Sequence, residues 1–133
     1  MCFVLKVVKS WESDYTQRHS PFNRTLSILI SPDTHGVKNL AIGLVVLPPH
    51  SKSDSHSHSE NEEFWIIADG KGEIIVDGEK TAVEPGMIVC APPLSSHQIA
   101  NTGNYPLRAY FLYAPPGPEK KILEEIREHK ESK

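Results

Sequence analysis

The chain has 133 residues, 38% of them hydrophobic and 23% charged, which is enough apolar content for one packed domain and too much for global disorder. Its formal net charge is −3, with no large basic patch, which argues against nucleic acid as a partner. No run approaches the roughly 20 apolar residues of a membrane helix, and residues 1–8 are too short for a secretion signal, so a cytoplasmic protein without a membrane partner is expected.

Cys2 and Cys90 are the two cysteines, too few for a disulfide scaffold or a Cys-based zinc site. Cys90 lies in an apolar run and reads as a small buried residue.

In chain order, residues 3–8 are rich in β-branched side chains and read as a strand. Residues 10–23 are polar and aperiodic, so residues 1–22 form an N-terminal strand and arm. Residues 25–30 read as a second strand, Ser31-Pro32-Asp33 as a turn, and residues 39–47 as a longer apolar strand stopped by Pro48-Pro49.

A polar stretch, residues 50–62, carries five serines between His50 and Ser59. Within it, His56 and His58 sit two residues apart. In an extended segment such residues point to the same face, so both imidazoles can aim at one point, and a short turn can return the Glu63 carboxylate to it. Imidazole and carboxylate together suit one divalent transition metal ion, with Fe, Mn, Zn, Ni and Cu undistinguished. Read alone, the stretch also fits a flexible serine-rich loop with casual metal affinity. Glu60 and Glu62 read as solvated neighbours, with Glu62 a fallback ligand.

Strands then follow at 63–68, 73–76, 81–83, 87–91, 97–100 and 107–114, separated by turn residues such as Asp77-Gly78 and Pro85-Gly86. Short strands with frequent turns predict an antiparallel sandwich or barrel over residues 23–115. Ile122, Leu123 and Ile126 recur at helical spacing and predict a C-terminal helix over 118–131, its stripe packed on the outside of the barrel.

On the strand from Glu63, Trp65 and Ile67 share its inward face. The last strand offers Leu107, Ala109, Phe111 and Tyr113 on its more apolar face. An inward Trp65, Ile67 and Phe111 would line a narrow pocket, and Tyr113 would place a hydroxyl near its mouth. A narrow apolar cavity suits a small molecule.

His97 completes the pattern, lying between Pro92 and Asn101 where a closed barrel brings it back to the first hairpin. At this point the sequence resembles the cupin superfamily. The first motif of that family is matched by His56, His58, Glu63 and Gly70, and the second by Gly86, Pro92, His97 and Asn101. Spacing to Gly70 selects Glu63 over Glu62. Two motif glycines are replaced, by His50 and by Leu94, both at turns of the pocket rim where glycine permits positive φ.

The resemblance implies a double-stranded antiparallel β-helix, an all-β jelly-roll barrel with a short C-terminal α-helix, spanning residues 1–133 as a single domain. It implies a metal held by His56, His58, Glu63 and His97, with open positions for a small oxygen-rich molecule such as a hydroxy or keto acid, a diketone or a sugar. His50 and Tyr113 are the candidate catalytic groups beside it. A metal-dependent enzyme of dioxygenase, isomerase, lyase or decarboxylase type is expected. A non-catalytic module with an anchoring metal is the alternative. A metal-binding barrel serving assembly is a third reading. A homodimer is expected, with residues 3–8 adding to a neighbour's sheet edge.

Overall fold

A computed structural model describes residues 5–132. The strands are β1 Thr16–Arg18, β2 Arg24–Ile30, β3 Ala41–Leu47, β4 Glu62–Asp69, β5 Gly72–Val76, β6 Glu79–Val83, β7 Ile88–Ala91, β8 His97–Asn101 and β9 Leu107–Ala114. Helices α1 Pro32–His35 and α2 Glu119–Glu131 complete the described elements, with a 3-10 turn at Ser10–Glu12. A six-stranded sheet runs β1-β2-β3-β9-β4-β7, and a three-stranded sheet runs β6-β5-β8. The pairings are antiparallel, as the strand pattern predicts, and the chain forms the double-stranded β-helix that the resemblance implies. Among the described residues, no helix is long and apolar enough to cross a membrane.

Side-chain alternation sets the inner faces. On β9, Leu107, Ala109, Phe111 and Tyr113 are buried, while Arg108, Tyr110 and Leu112 are half-buried on the other side. On β4 the buried set is Glu63, Trp65 and Ile67. The ladder pairs Glu63 with Tyr113, Trp65 with Phe111 and Ile67 with Ala109, so one strip of the sheet runs from polar to apolar. Leu47, Ile74, Val83, Ile99 and Leu107 fill the core between the sheets.

Gly43 lies opposite Phe111. A Cβ there would lie 2.2 Å from the Phe111 ring, so the bare backbone of β3 is the surface on which that ring rests.

The N-terminal reading is corrected. Residues 3 and 4 of the expected strand lie outside the described residues. Leu5–Val8 form no strand, and Leu5 and Val7 are exposed. The sheet edge is taken by β1, within the expected arm, whose three residues are too few to show a period. Ser31-Pro32-Asp33 opens a helical turn. Ser31 Oγ accepts from the Thr34 amide and Thr34 Oγ1 accepts from the Ser31 amide, a reciprocal cap that converts turn chemistry into α1. Cys90 is exposed, because the alternation of edge strand β7 turns Ala91 inward and Cys90 outward.

Helix α2 buries Ile122 and Ile126 against β1 and β2. Arg18 of β1 ties it down, its Nε and Nη2 donating to Glu125 at 3.1 and 3.2 Å. The helix is more than an outer cover, since Lys121 and Ile122, with Pro118 just before it, contribute to the wall of a cavity.

Candidate metal centre

His56 and His58 reach the site on an extended segment held to β8. The pairing is irregular: Lys52 bridges Ala100, and His56 bridges His97. Between these bridges the Ile99 amide donates to Ser53 Oγ at 3.1 Å instead of to a backbone carbonyl, which breaks the ladder and leaves two bridges instead of a strand. The His56 amide donates to the His97 carbonyl at 3.1 Å and the His97 amide to the His56 carbonyl at 2.8 Å. Two of the candidate ligands are therefore locked to each other through the main chain. Glu63 enters near the start of β4, and His97 is the first residue of β8.

The Nε2 atoms of His56, His58 and His97 lie 3.7, 3.3 and 2.9 Å from Glu63 Oε1. One ligand atom from each of the four residues falls within 4.8 Å of the others. Two atoms each about 2.1 Å from a common ion and roughly 90–110° apart are about 3.0–3.4 Å from one another; the His58 and His97 distances to Glu63 are close to that spacing, and the His56 distance is longer. Glu63 Oε1, His58 Nε2 and His97 Nε2 are all buried and make no hydrogen bond among the described residues. Leaving such atoms unpartnered costs about 1–3 kcal/mol each. A cation at their focus removes that cost, so this His-His-Glu-His cluster can hold a metal ion.

The supporting contacts agree with that use. His56 Nδ1 lies 3.1 Å from the Asp54 carbonyl. Donation there protonates Nδ1 and leaves the Nε2 lone pair free for a metal. The Asp54 carboxylate accepts from Arg24 Nη2 at 2.7 Å, pinning the residue that orients His56. His97 lacks such support, its Nδ1 being buried without a hydrogen-bond partner among the described residues. Its ring is fixed instead by packing, with the His56 ring at 4.3 Å and Trp65 at 5.2 Å between centroids.

Charge is shared across the cluster. Burial alone would raise the Glu63 carboxyl, yet the three imidazoles around it hold it far below the usual carboxylate range. Burial alone would lower His56, and Glu63 outweighs it to raise the imidazole. Tyr113, whose ring meets His58 at 5.3 Å, is pushed well above the usual phenol range, first by burial and then by the Glu63 charge.

The cluster opens on a cavity of about 180 Å³. His56, His58 and Glu63 share its wall with Trp65, Phe111 and Tyr113, as the pattern of the strands implies. Ile67 does not line it. It is buried in the core, one inward position beyond Trp65 on β4. His50 is also absent from the lining. It is an exposed loop residue whose Nε2 faces Asn104 Oδ1 at 3.1 Å, so it has no position from which to act as an acid or base at the cluster. Glu62 is exposed and outside the cluster.

The two substituted glycine positions keep the backbone shape that glycine favours. His50 has φ 63° and Leu94 φ 69°, both left-handed. The Leu94 amide donates to the His58 carbonyl at 2.8 Å, so this strained turn anchors a ligand-bearing segment. Asn101 closes the other turn, donating to the Leu47 and Tyr105 carbonyls and accepting from the Gly103 amide.

Comparison with known proteins agrees with this geometry. A model of the cupin domain matches residues 43–113, more than half of the chain. The chain belongs to the cupin family. This cupin is 35% identical over 89 residues to an uncharacterized protein, MJ1618, of Methanocaldococcus jannaschii, a stretch covering 66% of this chain and 70% of that protein. It is 27% identical over 97 residues to the polyketide synthase CurC of Streptomyces cyaneus, covering 73% of this chain and 63% of that protein. Among solved structures, a predicted oxalate decarboxylase of Thermotoga maritima has a TM-score of 0.75 at 24% identity, covering 84% of this chain and 100% of that one. At that identity the likeness shows the fold.

Sequence reading missed Arg18, Arg24, Asp54 and Lys121 in the cavity wall. Asp54 carried a signal, since it precedes His56 by the same two-residue step that joins His56 to His58. Arg18 and Arg24 carried none, because their elements come to the site only through the sheet order.

Proposed function

We propose that this cupin is an enzyme that uses one divalent transition metal, held by His56, His58, Glu63 and His97, to act on a small oxygen-rich molecule. The reading is carried by one observation: four ligand atoms, three of them buried without hydrogen bonds among the described residues, converge beside a cavity whose wall includes His56, His58 and Glu63. When bound, a divalent metal supplies Lewis acidity that polarises a substrate oxygen.

The chain's own residues set the remaining conditions. Trp65, Phe111, Leu26 and Val45 give the cavity an apolar wall, which lowers the local dielectric and strengthens polar contacts. Tyr113 stays protonated and makes no hydrogen bond with another described residue, so its O–H is free to donate to a substrate oxygen. Arg24, through Asp54, holds His56 in one tautomer. The volume suits a molecule the size of a hydroxy or keto acid, a diketone or a small sugar derivative. The similarity to a polyketide synthase supports chemistry on oxygenated carbon compounds.

The test is turnover of hydroxy, keto and diketo acids after reconstitution with iron, manganese, nickel, copper or zinc. Turnover by one metal form supports the enzyme. Stoichiometric metal with no turnover across the panel sinks it and favours a non-catalytic module that holds a small ligand. That second reading has its own support: His50 stands away from the cavity and Asp54 is committed to Arg24, so no side chain in the wall is an uncommitted base.

We also propose a homodimer. Leu5, Val7 and Trp11 are exposed near the N-terminus, as is Ile88 on the edge strand β7, and apolar groups beside a strand edge favour pairing. A monomer in sedimentation at working concentration sinks this assignment.

A further inference from the structure

The cavity wall carries three cations that are not among the candidate metal ligands: Arg18 from β1, Arg24 from β2 and Lys121 from α2. Arg24 is buried, only 4% exposed. Its Nη2 is committed to Asp54 and its Nη1 to the Phe22 carbonyl. Arg18 commits Nε and Nη2 to Glu125. A guanidinium carries five N–H donors, so each pairing occupies one edge and leaves others. Arg24 Nε and Arg18 Nη1 make no hydrogen bond among the described residues, and Lys121 is in no ion pair there.

The acids nearby cancel only part of this charge. Asp54 and Glu125 neutralise the two arginines, and Lys121 in the same wall is in no ion pair among the described residues. Two arginines drawn to one small cavity are a poor device for stability, since a buried ion pair is often replaceable by apolar residues at no loss. Their planar donors match a carboxylate.

We propose that the cavity has an anion subsite formed by Arg18, Arg24 and Lys121, and that the substrate carries a carboxylate there in addition to the oxygens it offers to the metal. This deepens the preceding reading and rests on it for the chelating end. The substrate class narrows to small acids with an apolar middle, which Leu26, Val45 and Ile122 would contact.

The experiment is calorimetric binding of a matched pair, 2-oxoglutarate and 2-oxopentanoate, to the metal-loaded protein. Both carry the same chelating 2-oxo acid head, and only the first carries a remote carboxylate. The expected result is binding of 2-oxoglutarate about tenfold tighter, with the preference shrinking several-fold in Lys121→Gln and Arg18→Gln and reversing in Lys121→Glu, while 2-oxopentanoate affinity is unchanged in the two Lys121 variants. Lys121 is exposed, so its variants leave the fold intact even if Arg18→Gln loosens α2. Equal affinity for the pair in the wild type, or a preference unmoved by the Lys121 variants, overturns the subsite. Elemental analysis of the same samples separates the two readings. If no metal is taken up, the metal reading fails alone, and the subsite is judged on metal-free protein with glutarate against pentanoate by the same criteria.

Discussion

Tyr113 stands directly opposite Glu63 in the β4–β9 ladder, and its ring meets His58 with 5.3 Å between centroids. A phenol, a carboxylate and an imidazole thus share one end of the cavity because β4 and β9 hold a fixed register. The phenol is the neutral member, kept protonated by burial and by its anionic neighbour.

Replacing Tyr113 by Phe removes a hydroxyl without emptying the space of the ring. Metal content should not change. Affinity for a bound substrate or for 2-oxopentanoate should fall by about 0.5–1.5 kcal/mol, up to about tenfold. Unchanged affinity and turnover in Tyr113→Phe would remove the hydroxyl from the account.

Metal removal should be felt more at alkaline than at acid pH. His56 is raised in the folded metal-free protein by Glu63, against the lowering effect of burial. A raised imidazole contributes stability below its unfolded value and loses it as pH rises through the folded one. At about pH 8 the metal-free site has therefore lost that contribution, while the metal, which needs neutral imidazoles, binds best. Chelator should lower the melting temperature strongly at about pH 8 and weakly at about pH 5.5. An equal effect at both pH values would contradict imidazole ligation.

Leu94 occupies a left-handed position, φ 69°, and the residue is 75% exposed. The conformation costs a non-glycine residue about 1–2 kcal/mol, and glycine would return about 0.5–1 of that as unfolded-state entropy. Leu94→Gly should raise stability in denaturant titration by about 0.5–1 kcal/mol with metal content unchanged. A loss of stability would show that the exposed leucine makes contacts the strain argument ignores.

Gly43 is the seat of the Phe111 ring. Gly43→Ala should destabilise by about 1–3 kcal/mol and displace Phe111 toward the cavity. Denaturant unfolding reads the first effect, and weakened binding of 2-oxopentanoate reads the second. A neutral result in both would mean that the ring relocates freely.

Much of the barrel and the cluster was legible because the signals are local. Alternation fixes the inward faces of β4 and β9, and turn residues punctuate the hairpins. His56, His58, Glu63 and His97 are recognisable by residue type and spacing. The rest was hidden where the signal is non-local or too short. The three residues of β1 show no periodicity, and the cap between Ser31 and Thr34 is a geometric event within what reads as a turn. The basic side of the cavity exists because β2 lies beside β1 and α2 crosses both, a consequence of packing that no window of sequence reports. His50 was expected near the site because it stands in a motif position, but that position governs a turn, and its left-handed backbone is the part that matters.

The most direct test of the central claim is metal stoichiometry by elemental analysis of reconstituted protein. Wild type and His50→Ala should each carry one divalent transition metal per chain, and His56→Ala, His58→Ala, Glu63→Ala and His97→Ala should each lose most of it while remaining folded by circular dichroism. Wild-type protein without metal, or full occupancy in the four variants, would contradict the account.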